Sequence, residues 1–291
     1  MLVLRRILDK SYDDVKASPD NKVFVLTTDH RADLYNIKDN VLIKSLKTGY
    51  SASFSPNMKY LLLKNNSGKF TLLDGRTYSE IYSYKFPYKA EVYDTDAVFS
   101  KDDEHIFLSY IKYPKRSTIR YNIHTRQAQE IYDDIIGPLG YIPKQDCLIG
   151  SLSIDGYTHI IKIYLSKNCR IEKLNHSQVS FSDVNIFFDD IENKLYFEET
   201  LSRDLCSCDV ETGEVRHICK LDFGYTHNII RDSLTENLYV LAKNSVVIIG
   251  QDGKTVDFMP LVIEDSVYMR MGIVDRYLII MGKKTYFYSL D

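Results

Sequence analysis

Apolar and polar positions change over in short blocks along this chain. Runs such as Lys59-Tyr60-Leu61-Leu62-Leu63, Arg276-Tyr277-Leu278-Ile279-Ile280 and Ser245-Val246-Val247-Ile248-Ile249 are bounded by clusters of Ser, Pro, Asp, Asn and Gly. The runs are too short for buried helices and are rich in Ile, Val, Leu, Tyr and Phe, so each predicts a strand. No segment keeps a 3.6-residue apolar period beyond two turns, so almost no helix is expected. Turn chemistry agrees with this reading. Glu211-Thr212-Gly213-Glu214 and Gln251-Asp252-Gly253-Lys254 place Gly where a tight turn needs a positive φ. Lys38-Asp39-Asn40 and Ser166-Lys167-Asn168 place Asn at the same point.

The blocks repeat. Ser18-Pro19-Asp20-Asn21-Lys22-Val23-Phe24-Val25-Leu26 returns as Ser55-Pro56-Asn57-Met58-Lys59-Tyr60-Leu61-Leu62-Leu63 and as Ser100-Lys101-Asp102-Asp103-Glu104-His105-Ile106-Phe107-Leu108. Looser copies surround Pro143, Asp189, Arg231 and Val274. The anchors at 18, 55, 100, 142, 189, 231 and 274 are spaced by 37 to 47 residues, close to the ~40–45 residues of a four-stranded propeller blade. The last unit offers only three strands, Met269–Ile273, Arg276–Met281 and Thr285–Leu290, and Leu2–Ile7 stands unassigned before the first. If Leu2–Ile7 completes the last unit, its open edge is paired. The expected fold is therefore all-β, a seven-bladed β-propeller whose N-terminal strand closes the last blade, forming a single domain over residues 1–291. Phe54, Phe99 and Phe188, each just before a turn, are expected in the core.

The turn Phe54-Ser55-Pro56-Asn57 and its relatives Ala17-Ser18-Pro19-Asp20 and Phe99-Ser100-Lys101-Asp102 resemble those of WD40-type β-propellers, and the resemblance covers nearly the whole chain. There is no Trp, and Tyr35-Asn36 and Tyr121-Asn122 stand where a WD40 repeat has Trp-Asp; no Gly-His pair is present. The resemblance implies a rigid scaffold that binds partners over one loop-bearing face. It does not fix a function, because such scaffolds host many.

Composition narrows the classes. With 44% hydrophobic residues the chain has ample material for a core, and its net charge of −3 argues against bulk attraction to nucleic acid. Five irregularly spaced cysteines fit a reducing compartment better than a disulfide framework. No targeting segment and no apolar run long enough to span a bilayer is expected, which points to a cytoplasmic protein without membrane contact.

Three constellations carry candidate chemistry. Tyr12, Tyr50, Tyr93, Tyr225 and Tyr268 each precede a turn anchor by about six residues. They read either as an aromatic rim that grips a partner or as rings packed between blades. Cys206, Cys208, His217 and Cys219 fall on one hairpin; pairing Val210 with Val215, Cys208 with His217 and Cys206 with Cys219 puts all four on one face. That set is chemically a zinc set, but parallel side chains on a flat ladder converge poorly, so packing competes with zinc and with a Cys206–Cys219 bridge. Lys112, Lys115, Arg116 and Arg120 lie in and beside the Tyr110–Ser117 loop, either as a receptor for an acidic peptide or phosphate or as a solvated loop.

No Gly-x-Ser-x-Gly, His-Glu-x-x-His or phosphate-cradling loop is present. Long loops are expected at Lys85–Asp96, Asp133–Pro138, Asn175–Asp183, Asp222–His227 and Glu198–Asp204. The leading reading is a non-catalytic, monomeric platform that binds another protein or peptide, with no cofactor, metal or nucleic acid. The partner surface is taken as Tyr12, Tyr50, Tyr93, Tyr225, Tyr268, Lys115 and Arg116. The alternative is a lactonase- or hydrolase-like propeller enzyme using acids and histidines such as Asp29, His30, Glu198, Glu199 and His227 at the channel mouth. A metal-stabilised structural propeller is the third.

Overall fold

The computed structural model describes residues 2–65, 69–85, 97–112, 115–134, 136–154, 157–166, 169–174, 181, 185–223, 226–243, 245–261 and 270–290. They form seven four-stranded antiparallel sheets. The first holds β2 to β5 (Asp14–Ala17, Val23–Thr28, Arg31–Asn36, Leu42–Leu46) and the second β6 to β9 (Ser51–Phe54, Tyr60–Lys64, Lys69–Asp74, Glu80–Lys85). The third holds β10 to β13 (Val98–Phe99, His105–Lys112, Lys115–Asn122, Ala128–Tyr132) and the fourth β14 to β17 (Gly137–Ile142, Cys147–Ile154, Tyr157–Tyr164, Arg170–Lys173). The fifth holds β18 to β21 (Phe187–Asp189, Lys194–Glu198, Asp204–Asp209, Val215–Lys220) and the sixth β22 to β25 (Thr226–Arg231, Leu238–Ala242, Ser245–Ile249, Thr255–Pro260). The seventh takes β26 to β28 (Arg270–Val274, Tyr277–Met281, Thr285–Ser289) and borrows β1 (Val3–Leu8) as its outer strand. The fold is a seven-bladed β-propeller, as the repeat predicts. β1 runs antiparallel to β28, with Leu8 opposite Thr285 and Val3 opposite Ser289.

The chain groups into two compact units, Ser11–Lys144 and Met1–Lys10 with Gln145–Asp291. In the first, Leu62, Phe70, Leu72, Phe99, Ile106, Leu108, Ile119 and Tyr121 make one core cluster. In the second, Tyr239, Leu241, Val246, Leu278 and Ile280 make another. Second and third strands such as β23 and β24 are buried at every position, because both of their faces are covered, whereas the outer strand β25 is largely exposed. This explains the unbroken apolar runs in the sequence. Arg231 of β22 reaches Asp189 of β18 at 2.8 Å, both side chains buried, so a charge pair links two neighbouring blades. Phe99 is fully buried as expected, but Phe54 and Phe188 are only partly so.

The repeated turn has a local cause. Ser18, Ser55 and Ser100 are buried, and their hydroxyls accept the backbone N–H of Val23, Tyr60 and His105 at 3.1, 3.0 and 2.9 Å. Asn21, Met58, Asp103, Asp146, Asn193, Glu236 and Asp275 take a positive φ, one in each blade's first turn. The turns after the third strands use a second device: Asp74, Asn122 and Asp209 accept the N–H groups two and three residues on, and Asn36 the one two residues on. Asn36 and Asn122 are the residues that stand at the Trp-Asp positions of a WD40 repeat. Asn40, Gly213 and Gly253 adopt the positive φ read from sequence; beside Asn168, which lies outside the described residues, it is Cys169 that does so. A Cβ on Gly213 would stand 2.4 Å from the Leu174 carbonyl oxygen, so this turn needs Gly for space as well as for φ.

A further regularity was not read from sequence. In six of the seven blades the outer strand carries one extra residue against its neighbour: Ile43, Ile81, Ile131, Ile218, Val256 and, on β1, Arg5. Such bulges twist an exposed edge and spoil it as a template for another strand. β17 pairs with β16 without any shift.

Candidate functional site

Of the five repeat tyrosines, Tyr93, Tyr225 and Tyr268 lie outside the described residues. Tyr12 is buried, and its hydroxyl donates to the Asp33 carboxylate and lies 3.4 Å from the Tyr35 hydroxyl. Asp33 is wholly buried on β4, where Arg31 grips it from Nε at 2.7 Å and Ser45 donates at 2.5 Å. Burial raises the Asp33 pKa, but the hydrogen bonds from Arg31, Ser45 and Tyr12 outweigh it and hold the carboxyl below its ordinary range. Burial and then the bond to Asp33 push the Tyr12 phenol up. This is a satisfied anchor of the first blade, with the Tyr12 hydroxyl committed inward. Asp33 escaped the sequence reading, although a carboxylate inside the apolar run Ala32-Asp33-Leu34-Tyr35 was its signal. Tyr50 is half-buried; its N–H donates to the Lys64 carbonyl at 2.6 Å and its carbonyl accepts from Thr27 at 2.8 Å.

The basic residues are set on a long hairpin. β11 and β12 have eight residues each, twice the four of β2 or β6, and they stay paired out to Lys112 opposite Lys115. No acid occurs from His105 to Gln129. Arg120 is engaged by Gln129 at 2.6 Å, and Arg126 stacks 4.4 Å over the Tyr82 ring. Arg116 is exposed, and its guanidinium has no hydrogen-bond or ion-pair partner among the described residues. Among the described side chains of this hairpin, Arg116 is left open to an incoming anion, whereas Arg120 is engaged.

The cysteine hairpin does not have the expected register. Asp209 and Glu214 close the turn, with Gly213 N–H on the Asp209 carbonyl at 2.8 Å, so Val210 belongs to the turn. Cys208 therefore faces Val215 and Cys206 faces His217, while the bulge at Ile218 sets Cys219 opposite Leu205. Directly opposed residues share a face and consecutive ones do not. The bulge thus moves Cys219 to the face of Leu205, where both join one apolar cluster. The four residues are split between the two faces of the sheet. Cys206 and Cys208 are fully buried, and burial pushes each thiol up to about 12. A thiol so raised is a poor nucleophile and a reluctant metal ligand. Cys206 lies 3.7 Å from His217 Nδ1, which also lies 3.1 Å from Asp204.

Asp102, Glu104 and His105 bring ligand atoms within 4.8 Å of one another. Their hydrogen bonds argue for a turn brace. Asn122 Oδ1 is occupied by the N–H groups of His124 and Thr125, so the Asn122 amide donates to His105 Nε2 at 3.2 Å. The imidazole proton then sits on Nδ1, and no lone pair is free for a metal. Asp102 accepts from Ser100 and from Glu104 N–H.

The residues considered for an enzyme are also placed. Glu198 pairs with Arg203, and Glu199 accepts the Ser202 N–H. Asp29 and His30 are exposed on the turn between β3 and β4. His227 is the extra residue of a bulge on β22; burial and then nearby Lys243 push its pKa down, so it is neutral near pH 7. Bulges re-aim side chains, and this one has no signature in the sequence.

No family model matches the chain, and no curated protein matches it in sequence. Among solved structures it is similar to the β-propeller domain of Cps50 (Swd1) from Myceliophteria thermophila. The TM-score is 0.76 at 12% identity, over 100% of both chains. The fold is that of a seven-bladed β-propeller. No helix among the described residues is long and apolar enough to cross a membrane.

Proposed function

We propose that this chain is a non-catalytic interaction platform that binds an acidic segment of another protein at the tip of the β11–β12 hairpin. The observation that carries the reading is Arg116, an exposed guanidinium without a partner among the described residues, on a hairpin whose strands are twice as long as β2 or β6 and which lacks acids. Guanidinium groups engage carboxylates through paired hydrogen bonds and recur at binding hot spots. Loops carried on a rigid scaffold are where function concentrates, and WD40-like propellers generally serve as such scaffolds. Lys115, next to Arg116 on β12, and Lys112, across the turn, add charge, and Tyr50 and Tyr93 are candidates for aromatic contacts in the same unit. Tyr12 is assigned to stability instead, because its hydroxyl is spent on Asp33.

The test is affinity capture from the native organism with wild-type protein and with Arg116→Glu. Retention of one protein by the wild type and its loss from a folded Arg116→Glu variant supports the reading. Equal retention by both moves the docking surface elsewhere, and retention by neither removes the platform reading itself.

A further inference from the structure

β17 is the outer strand of the fourth blade, and among the described residues its pairing shows no bulge, unlike that of the other outer strands. Leu174 N–H donates to the Ile160 carbonyl at 2.8 Å across this edge of the sheet. Backbone direction alternates along a strand, so Glu172 and Arg170 also turn inward to β16. Ile171 and Lys173 therefore present their N–H and C=O groups outward. Arg170, Ile171 and Lys173 are exposed, and Glu172 is half-buried. Among the described residues this is an open, regular edge, whereas the outer strands of the other blades carry a bulge.

We propose that β17 pairs with β17 of a second copy of this chain about a two-fold axis, with Ile171 opposite Ile171. Two constraints select the occupant and the register. Outward-facing residues must meet outward-facing residues, so the axis passes through Arg170, Ile171, Glu172 or Lys173, and centring on Arg170 or Lys173 sets two cations directly opposite each other. Centring on Glu172 sets two carboxylates directly opposite each other, which is destabilising. Centring on Ile171 sets Arg170 against Glu172 of the other copy, and Glu172 against Arg170, both at non-hydrogen-bonded positions where side chains approach most closely. The sequence Arg170-Ile171-Glu172 is thus complementary to itself, as an isologous contact requires. Arg170 and Glu172 already meet within one chain at 3.2 Å, so the two copies would complete a four-membered ring of alternating charges. Four residues of pairing give a small contact compared with a standard interface of roughly 1,600 Å², so a concentration-dependent equilibrium is expected in place of the monomer read from sequence.

Sedimentation velocity across a wide concentration range tests this on the intact chain. The wild type is expected to shift from monomer towards dimer as concentration rises. Arg170→Glu and Glu172→Arg, each placing like charges opposite one another, are expected to weaken association by about tenfold or more. The double exchange, Arg170→Glu with Glu172→Arg, should restore it. Ile171→Pro removes an outward N–H while leaving the bonds to β16 in place; it should abolish dimerisation with the melting temperature nearly unchanged. A wild type that stays monomeric to its solubility limit overturns the proposal. So does a dimer unaffected by Ile171→Pro, or single reversals that the double exchange does not rescue.

Discussion

At the scale of single residues, the anchor of the first blade makes the sharpest prediction. Asp33 is held below its ordinary pKa, so the stability it contributes is complete above about pH 4 and is lost as pH falls through its folded value. Tyr12→Phe removes a hydrogen bond to a buried carboxylate, which is expected to cost about 1.5–3 kcal/mol near neutral pH. The gap to wild type should narrow on acidification, as read by urea unfolding at pH 7 and pH 3. A deficit that does not change with pH would dissociate Tyr12 from the Asp33 charge. The phenylalanines give a second test. Phe99→Ala is expected to cost about 3–5 kcal/mol, and Phe54→Ala clearly less, because Phe54 is only partly buried. Equal losses in thermal unfolding would contradict the burial difference. The turn residues were legible because their hydrogen bonds are local. Asp33 was not singled out, because its partners Arg31, Ser45 and Tyr12 come from three separate segments that only the fold brings together.

At the scale of elements, the sequence reading placed the strands well and the pairing of one hairpin badly. The Cys206–Cys219 hairpin was read with a short turn and a regular ladder. The real turn is shifted back by one residue, closed by Asp209 and Glu214, and Ile218 is an extra residue. One bulge reverses which side chains share a face, and bulges of this kind, at Ile43, Ile81, Ile131 and Val256 too, use β-branched residues that an ordinary strand would also use. Nothing in the pattern marks them. The pairing of β1 with β28 was legible for the opposite reason: a missing strand at one end and a spare strand at the other leave one solution. Removing residues 1–8 should uncover the β28 edge, whose five residues are all buried in the intact chain. The expected result is faster amide exchange at Thr285, Phe287 and Ser289, whose N–H groups face β1, a lower melting temperature and aggregation at the freed edge. Unchanged exchange along β28 would refute the strand's role.

At the scale of the whole molecule, the repeat sufficed to give the architecture, because a period near that of a blade admits few folds. Function was much less legible. A propeller fixes where loops emerge and leaves their chemistry to side chains that no repeat constrains. Of the aromatic rim read from sequence, Tyr12 proves committed to an internal bond, while Arg116 keeps its guanidinium without a partner among the described residues. The account therefore gives the binding role to a charged hairpin tip. Its central claim is that recognition runs through Arg116 to an acidic partner. The most direct measurement is the affinity of the captured partner as a function of salt, for wild type and for Arg116→Glu. Charge-steered contacts at an exposed site weaken as the screening length shortens. The account predicts a wild-type dissociation constant that rises steeply with salt, and a variant that binds at least about tenfold more weakly at low salt with a flatter dependence. An affinity insensitive to salt and equal in the two proteins would contradict it.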